Sequence, residues 1–405
     1  MGMMKRLQAP DRISVLVVDD SLVFRRFLRD VFENIDGIEI IGEAKNGIEA
    51  LDLILKINPD VILMDLEMPV MDGMTALQHL MIHRPTPTII FSSLTNEGTA
   101  RCFDTLKNGA VDFLCKDFLF QEKNLEIYKD MIIQKVINAA ANRVRSIEPI
   151  FALSHEEGKR LSSEKQVVFC EDCGTRRYID GEEDLPLKEI RCTQCGDVID
   201  LSNIEKLRRN SFITVLAGGR GCFRNLLNII PHFDADMGGA LIAVIFEDFE
   251  HVNAFAEYLN SISRMKVIRV RENMRIDGGN CYITSSRDYF CLKPFSANYA
   301  FQRVQDTADG PGPLDLLLTS VATVFKNRTA GVILSGDDMD GVQGMLALAE
   351  SQGTSLLLDP SDCFYKNMGD MIRDKCALKK NLSEEELFQE IQAMHYNAKK
   401  TVTTA

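Results

Sequence analysis

The sequence predicts an α/β protein with two doubly wound parallel sheets and a small cysteine-containing unit between them. Apolar strand patterns alternate with amphipathic helix patterns over residues 13–143 and again from residue 211 onward, which is typical of parallel sheets covered by helices on both faces. Two C-x-x-C pairs separate the two regions and indicate a third, smaller unit. The length of 405 residues fits two or three domains.

The first alternating region predicts a flavodoxin-like, five-stranded parallel sheet in a domain over residues 11–143. A helix is predicted after the first strand, because apolar residues recur there with the spacing of one helix face. That stripe consists of Phe24, Phe27, Leu28, Val31 and Phe32. The predicted strands are ISVLVVDD, IEIIGEA, DVILMDL, TPTIIFSS and VDFLCK.

The composition excludes several classes of function. A net charge of −13 argues against binding to nucleic acid, which depends on clustered lysine and arginine. The sequence contains neither the run of about 18 to 20 apolar residues that a membrane span needs nor an apolar signal region. We therefore expect a cytoplasmic protein without membrane insertion, with proteins or small anions as partners.

Polar residues follow the strands of the first region at their carboxyl ends, where open parallel sheets bind ligands. Because three carboxylates in one crevice repel each other, a hard divalent ion such as Mg²⁺ is expected between them. One carboxylate can then attack a phosphoryl group, with a lysine and a hydroxyl contacting the phosphoryl oxygens. The residues at these strand ends are Asp19, Asp20, Asp65, Ser92 and Lys116.

The motifs VVDDS, MDLEMPVMDG, FSS and GAVDFLCKD resemble the response-regulator receiver domain of two-component signalling. The resemblance implies phosphorylation by a histidine kinase, with Asp65 as the phosphoacceptor and Lys116 contacting the phosphate. It also implies Mg²⁺ ligands at Asp19, Asp20, Asp65 and the backbone carbonyl of Glu67, and a switch pair formed by Ser92 and Phe113. The pattern usually has proline after the lysine, and Asp117 stands there instead, which leaves the usual cis peptide open.

A zinc ribbon is predicted over residues 167–200, after a polar linker over residues 144–166. The four cysteines form a C-x2-C-x18-C-x2-C array typical of tetrahedral zinc, and four thiolates close the metal shell, which favours a structural role. The alternatives are a redox dithiol or a nucleic-acid ribbon, and the latter is disfavoured by 9 acidic against 4 basic residues. The predicted zinc ligands are Cys170, Cys173, Cys192 and Cys195.

The second alternating region predicts another α/β domain, over residues 211–395. A β-hairpin is predicted over residues 281–293, where two apolar runs flank a polar turn. The predicted strands are FITVLAGG, ALIAVIFE, KVIRVRE, AGVILSG and TSLLLD.

The receiver-like region followed by this second domain resembles the chemotaxis protein-glutamate methylesterase family. The segments NAFAEYLN, CYITSSRDYFCL, PLDLLLTSVA and AGVILSGDDMDGVQGMLAL follow the order of that family. The resemblance implies a serine hydrolase domain that removes methyl groups from receptor glutamates, with its active site covered by the unphosphorylated receiver.

The catalytic triad of that family is incomplete in this sequence. Gly219 stands at the position of the serine and Phe246 at that of the histidine, so only the carboxylate remains, at Asp340. Ester hydrolysis needs a nucleophile and a proton acceptor, and loss of triad members costs about 10⁶ in rate. We therefore expect an inactive methylesterase homologue that acts by binding chemoreceptors, a histidine kinase or a partner of an active esterase.

Two alternatives remain open for the second domain. An active methylesterase is possible with a Cys222, His251 and Asp340 set, although a cysteine at the start of a helix is more often a packed apolar residue. The GGRGCFR turn and Arg220 are also suited to an anion. Nucleotide binding is disfavoured, because a dinucleotide fingerprint needs glycine where Arg224 stands.

Overall fold

The computed structural model places the chain in two compact units, an N-terminal one and a C-terminal one. Among the residues that the structure describes, no helix combines the length and apolar character that a membrane crossing requires. The residues that the structure describes are 12–92, 96–116, 125–142, 166–169, 176–179, 189–191, 193–194, 196, 198–200, 212–247, 249–295, 298–305, 310–378 and 380–404.

The N-terminal unit contains the predicted five-stranded sheet, in the order β2-β1-β3-β4-β5 with every neighbouring pair parallel. The central strands consist of buried apolar residues, as expected for strands that are covered on both faces. The strands are β1 (Ile13–Val18), β2 (Ile38–Ala44), β3 (Val61–Asp65), β4 (Thr88–Ser92) and β5 (Asp112–Cys115).

Helices connect these strands. The first begins after Ser21, whose hydroxyl accepts a hydrogen bond from the amide of Phe24 and so caps the helix. It buries most of the predicted stripe, while Phe27 is only half-buried. The helices are α1 (Leu22–Phe32), α2 (Gly47–Ile57), α3 (Gly73–His83), α4 (Asn96–Lys107) and α5 (Leu125–Ala140).

Two short antiparallel pairs follow in the chain. Strand β6 (Gln166–Phe169) pairs with β7 (Arg176–Ile179), and β8 (Glu189–Arg191) pairs with β9 (Val198–Asp200). The predicted zinc ligands Cys170, Cys173, Cys192 and Cys195 all lie outside the described residues.

The C-terminal unit contains a seven-stranded sheet in the order β12-β13-β11-β10-β16-β17-β18, again with parallel neighbours throughout. The prediction of two parallel α/β sheets is thereby confirmed. The strands are β10 (Phe212–Gly218), β11 (Gly239–Ile245), β12 (Lys266–Arg269), β13 (Asn280–Ser285), β16 (Thr329–Ile333), β17 (Thr354–Leu358) and β18 (Asn381–Leu382).

The hairpin predicted over residues 281–293 is wrong. Its first run, β13, lies between β11 and β12 in the parallel sheet. Its second run begins β14 (Phe290–Phe295), which pairs antiparallel with β15 (Asn298–Arg303). The hairpin therefore exists one strand later in the chain, because β13 has enough apolar surface to be buried on both faces of the larger sheet.

Helices cover both faces of the second sheet, and its core is built from the buried strand residues and the apolar faces of α8, α9 and α10. These helices are α6 (Cys222–Ile229), α7 (Phe249–Ile262), α8 (Pro313–Phe325), α9 (Val342–Glu350), α10 (Asn367–Cys376) and α11 (Glu384–Thr404). The chain runs from β10 to β11 on one side and returns to β16 on the other side of β10. The carboxyl ends of β10 and β16 therefore form the crevice in which open α/β sheets bind ligands.

Candidate functional site

Three carboxylates meet at the carboxyl edge of the first sheet. Side-chain oxygens of Asp19, Asp20 and Asp65 lie within 4.8 Å of one another. Asp19 and Asp65 are buried, with 1% and 5% of their surface exposed, while Asp20 is exposed. Oxygen ligands in this arrangement suit a hard divalent cation.

The ammonium group of Lys116 bridges two of these carboxylates. Its Nζ lies 2.7 Å from an oxygen of Asp19 and 2.7 Å from an oxygen of Asp65. Burial by itself lowers the pKa of Lys116, but the Asp65 charge and the hydrogen bonds to both aspartates outweigh it, so that the pKa is raised. Lys116 is therefore held as a cation beside Asp65.

The environment of Asp65 makes its ionisation less favourable than that of an ordinary aspartate. Burial raises the pKa of this carboxyl to about 6 and the charge of Asp19 adds to the rise, while Lys116 and the amide of Glu67 oppose it. A positive ion among the carboxylates would reverse this balance, because it stabilises the ionised form that can act as a nucleophile.

Backbone packing fixes this edge of the sheet. A side chain on Gly73 would come within 2.1 Å of the carbonyl oxygen of Asp65, so only glycine allows helix α3 to begin against the end of β3. Arg25 braces the acidic loop, since its guanidinium donates to the carbonyl oxygens of Asp19 at 2.6 Å and Asp20 at 3.2 Å. Arg25 was not predicted from the sequence, although it lies in the first turn of α1, shortly after the acidic pair.

The structure describes three further residues that were predicted for this site. Ser92 ends β4 and is 3% exposed. Phe113 is half-buried in β5, with its ring edge-on to Phe103 at a centroid distance of 5.8 Å. The amide of Glu67 contacts Asp65, whereas the role predicted for its carbonyl oxygen stays a prediction. The peptide after Lys116 lies outside the described residues.

The second site lies where three strands of the C-terminal sheet end. The amide of Gly219 donates to the carbonyl of Ser335 at 2.9 Å, and the amide of Phe246 donates to the carbonyl of Gly218 at 2.9 Å. These bonds bring together the two positions at which the sequence analysis predicts the loss of the family's serine and histidine. Phe246 is half-buried against the apolar core and offers no group that can accept a proton.

A carboxylate occupies the space of a side chain at position 219. A Cβ atom built on Gly219 would lie 2.0 Å from Oδ2 of Asp338. This oxygen is buried and has no hydrogen-bond partner among the residues that the structure describes. Burial raises the pKa of Asp338 to about 6, with a further contribution from the charge of Asp337 and an opposing one from Arg220. Asp338 was not predicted as a site residue, although it stands in the same SGDDMDG motif as Asp340.

Next to this turn, the charged side chains of Arg220 and Asp337 form an ion pair. Arg220 lies 3.5 Å from a carboxylate oxygen of Asp337, and both side chains are partly exposed. The hydroxyl of Ser335 donates to the carbonyl of Arg220 at 3.0 Å. The positive charge predicted for anion binding is thus offset by an aspartate in this structure.

The carboxylate of Asp340 is bound to backbone amides. Its carboxylate accepts hydrogen bonds from the amides of Leu314 at 2.7 Å, Asp315 at 3.2 Å and Gly341 at 2.7 Å. It therefore caps the first turn of helix α8. Asp315 in turn accepts from the amide of Gly344 at 2.7 Å and caps helix α9. The triad remnant predicted at Asp340 is, in this structure, one half of a reciprocal pair of helix caps.

The alternative nucleophile also lies in a packed environment. Cys222 is the first residue of α6, is wholly buried, and lies against the end of β10, since its Cβ would be 2.5 Å from a Cβ on Gly218. This location is the one expected for a packed apolar cysteine. His251 is half-buried in helix α7.

Both units match known families. Residues 15–127 match the response regulator receiver domain, and residues 214–391 match the CheB methylesterase domain. The chain is 28% identical over 359 residues to the protein-glutamate methylesterase/protein-glutamine glutaminase of Nitrosomonas europaea, covering 88% of this chain and 89% of the relative. It is 29% identical over 366 residues to the protein of the same name from Symbiobacterium thermophilum, covering 90% and 92%.

A solved structure is similar to part of the chain. The crystal structure of the Thermotoga maritima CheB methylesterase catalytic domain covers 45% of this chain and 98% of its own, with 21% identity and a TM-score of 0.43. The two sheets and the two family matches define a response regulator with an α/β output domain. Two segments of the chain thus match the response regulator receiver and CheB methylesterase families, and relatives that are similar over most of the chain are named protein-glutamate methylesterases.

Proposed function

We propose that this chain is a chemotaxis response regulator that is phosphorylated on Asp65 and controls a methylesterase-type output domain without ester hydrolysis. The observation that carries the receiver half is the position of Lys116, 2.7 Å from oxygens of both Asp19 and Asp65 in the carboxylate cluster. A cation fixed beside a buried carboxylate is what acceptance of a phosphoryl group requires.

An oxygen of Asp65 attacks the phosphorus of a phosphohistidine on a histidine kinase. The bond from oxygen to phosphorus forms, the bond from phosphorus to nitrogen breaks, and the imidazole leaves with a proton from solvent. Lys116 donates a hydrogen bond to a phosphoryl oxygen. Asp19, Asp20, Asp65 and the carbonyl of Glu67 would hold a magnesium ion, which would supply positive charge for the phosphoryl oxygens.

Phosphorylation then changes the surface of the receiver through the predicted switch pair. The hydroxyl of Ser92 donates to a phosphoryl oxygen, and the half-buried ring of Phe113 follows this movement. The same rearrangement that uncovers the active site in the family here exposes a binding surface.

The phosphorylation site is tested by incubating the full chain with Mg²⁺ and acetyl phosphate and measuring phosphoryl incorporation by mass spectrometry. We expect one phosphoryl group in the wild type and none in Asp65→Asn. Asp52→Asn is the matched control, because it removes an exposed carboxylate from the same unit. Incorporation that persists in Asp65→Asn contradicts the assignment.

The absence of hydrolysis is proposed from the second site. Gly219 and Phe246 supply neither a nucleophile nor a proton acceptor, and Asp338 fills the space in which a nucleophile would lie. A carboxylate there also opposes the negative charge that develops on an ester oxygen during attack. The output domain therefore recognises methylated glutamate segments of a protein, the substrate that the names of its relatives indicate, without cleaving them. The resemblance to the chemotaxis family makes chemoreceptors the proposed partner.

The second candidate is an active methylesterase that uses other residues, favoured by the close resemblance to relatives named as esterases. Methanol release from a methylated receptor fragment separates the two. We expect no methanol release from the wild type. We also expect the immobilised chain to retain the fragment, and this retention to depend on Asp65 and not on Asp340. Turnover that Cys222→Ala or Asp340→Ala abolishes would establish the active esterase.

We also propose a structural zinc ion bound by the four cysteines of the ribbon. The proposal is supported by the strand pairs β6–β7 and β8–β9, since each C-x-x-C segment stands between the two strands of one pair. Metal analysis of the purified chain is expected to give one zinc per molecule, with a loss in Cys192→Ser. Unchanged zinc content in that variant removes the ribbon site.

A further inference from the structure

An aromatic ring lies against the ammonium group of Lys116. The Nζ atom is 4.7 Å from the centroid of the Phe24 ring and lies over its face. Phe24 belongs to the first turn of α1, five residues after Asp19, and only 7% of its surface is exposed. The ring therefore forms a buried wall of the phosphorylation site.

The ring is itself held in place. It packs edge-on to Phe91 in β4, with centroids 4.9 Å apart and an interplanar angle of 72°, and it contacts Phe27 at 6.0 Å. Phe91 directly precedes Ser92 at the end of β4. The position of Phe24 is thus tied to the strand that carries the predicted switch hydroxyl.

The ammonium group has two kinds of attraction in this site. The carboxylates of Asp19 and Asp65 bind it through hydrogen bonds, and the face of the Phe24 ring attracts it through the negative lobe of the ring quadrupole. A divalent cation on the carboxylates weakens the first attraction, because it neutralises their charge. The attraction of the ring stays unchanged.

We propose that Phe24 is a positioning residue for phosphoryl acceptance, holding the Lys116 ammonium in the pocket by a cation–π contact while the carboxylates are occupied by metal and phosphoryl donor. The inference rests on the proposed phosphorylation of Asp65. A leucine at position 24 would fill similar apolar space but carry no quadrupole, so the effect of Phe24 goes beyond packing.

The test keeps the shape of the ring and changes only its quadrupole. Phenylalanine with one, two or three ring fluorines is introduced site-specifically at position 24 of the full chain, and the rate of Asp65 phosphorylation by acetyl phosphate is measured with saturating Mg²⁺. We expect the rate to fall with each fluorine, Phe24→Leu to lose about tenfold, and Phe24→Tyr to stay near the wild type. The same fluorinated series at Phe27 is the matched control and is expected to leave the rate unchanged.

The outcomes separate the two proposals. Phosphorylation of Asp65 at a rate that is indifferent to fluorination at position 24 overturns the role of Phe24 and leaves the proposed function standing. A wild-type chain that takes up no phosphoryl group overturns both. Equal falls at positions 24 and 27 also contradict the inference, because they indicate a general effect of fluorine on the core. Melting temperatures of all variants are recorded, and the fluorinated proteins are expected to match the wild type.

Discussion

Replacing Asp338 by asparagine is expected to stabilise the C-terminal unit at neutral pH. Within the described part of the chain, one buried oxygen of the Asp338 carboxylate has no hydrogen-bond partner, and burial raises the pKa of Asp338 from the ordinary 3.8 to about 6. At about 1.36 kcal/mol per pH unit, this rise corresponds to roughly 3 kcal/mol of destabilisation by the charge. Because part of the side chain is open to solvent, we expect about 1 kcal/mol in practice.

The pH dependence of this gain follows from the direction of the pKa change. The folded chain keeps the Asp338 proton up to about pH 6, whereas the unfolded chain releases it near 3.8. Between these values the native state binds more protons, so its stability falls as the pH rises. Asp338→Asn lacks this titration. Its advantage over the wild type is therefore absent near the lower value, grows toward pH 6 and stays constant above it.

Hydrogen exchange measured by mass spectrometry gives the local unfolding free energy of each unit in the full chain. Peptides covering β10 and β16 report on the strands that end beside Asp338. We expect their protection at neutral pH to rise about fivefold in Asp338→Asn, as about 1 kcal/mol requires. Peptides covering β1 and β3 of the N-terminal unit are expected to stay unchanged.

Asp337→Asn is the matched control for this measurement. Its carboxylate lies 3.5 Å from Arg220 and is partly exposed. Removing it both breaks this ion pair and takes a like charge away from Asp338, so any gain in protection is expected to be smaller than that of Asp338→Asn. Lower protection in Asp338→Asn, or a gain that persists at pH 4, would refute the view that a buried charge destabilises this turn.

Three further predictions concern the C-terminal unit. The double variant Gly219→Ser/Phe246→His is expected to give no methanol release from a methylated receptor fragment. The reason is that the Cβ of the new Ser side chain at position 219 would lie 2.0 Å from Asp338 Oδ2. Turnover near that of an active relative contradicts this prediction. Asp340→Ala is expected to lower the unfolding free energy in urea by about 2 kcal/mol, because three backbone amides lose their acceptor; an unchanged midpoint would exclude a capping role. Burial lowers the pKa of His395 from the ordinary 6.5 to about 3, so the wild type is expected to lose stability as the pH falls below 6.5. In a thermal-shift series, the melting temperature of His395→Gln should depend less on pH over this range.

Much of the first site was predictable because of sheet geometry. Strands that alternate with helices must run parallel, and the carboxyl ends of parallel strands share one edge. Asp19, Asp65 and Lys116 each follow a recognisable strand, so their meeting could be inferred without coordinates. The ring of Phe24 could be predicted as buried from its helical spacing, but not as a neighbour of Lys116, because the two residues are far apart in sequence.

For the second site, the sequence predicted only that the nucleophile and the proton acceptor are missing. The resemblance to the methylesterase family predicts glycine and phenylalanine at the serine and histidine positions, but the sequence does not show which aspartate of SGDDMDG points toward the glycine. The structure places Asp338 there and turns Asp340 toward the amides of α8. The direction of each side chain depends on backbone turns and on helix α8, which begins at Pro313 and is distant in sequence from both aspartates, so the local sequence pattern does not encode it.

The sequence by itself determined the two parallel sheets, their order along the chain and the residue types at the strand ends, since these follow from periodicity and chirality that act over a few residues. Only the tertiary structure decided which partners those residues have. Strand β13 joined the large sheet instead of a hairpin, and Asp338 came to lie against Gly219. Such pairings depend on the burial available from distant segments, and burial is a property of the whole folded chain.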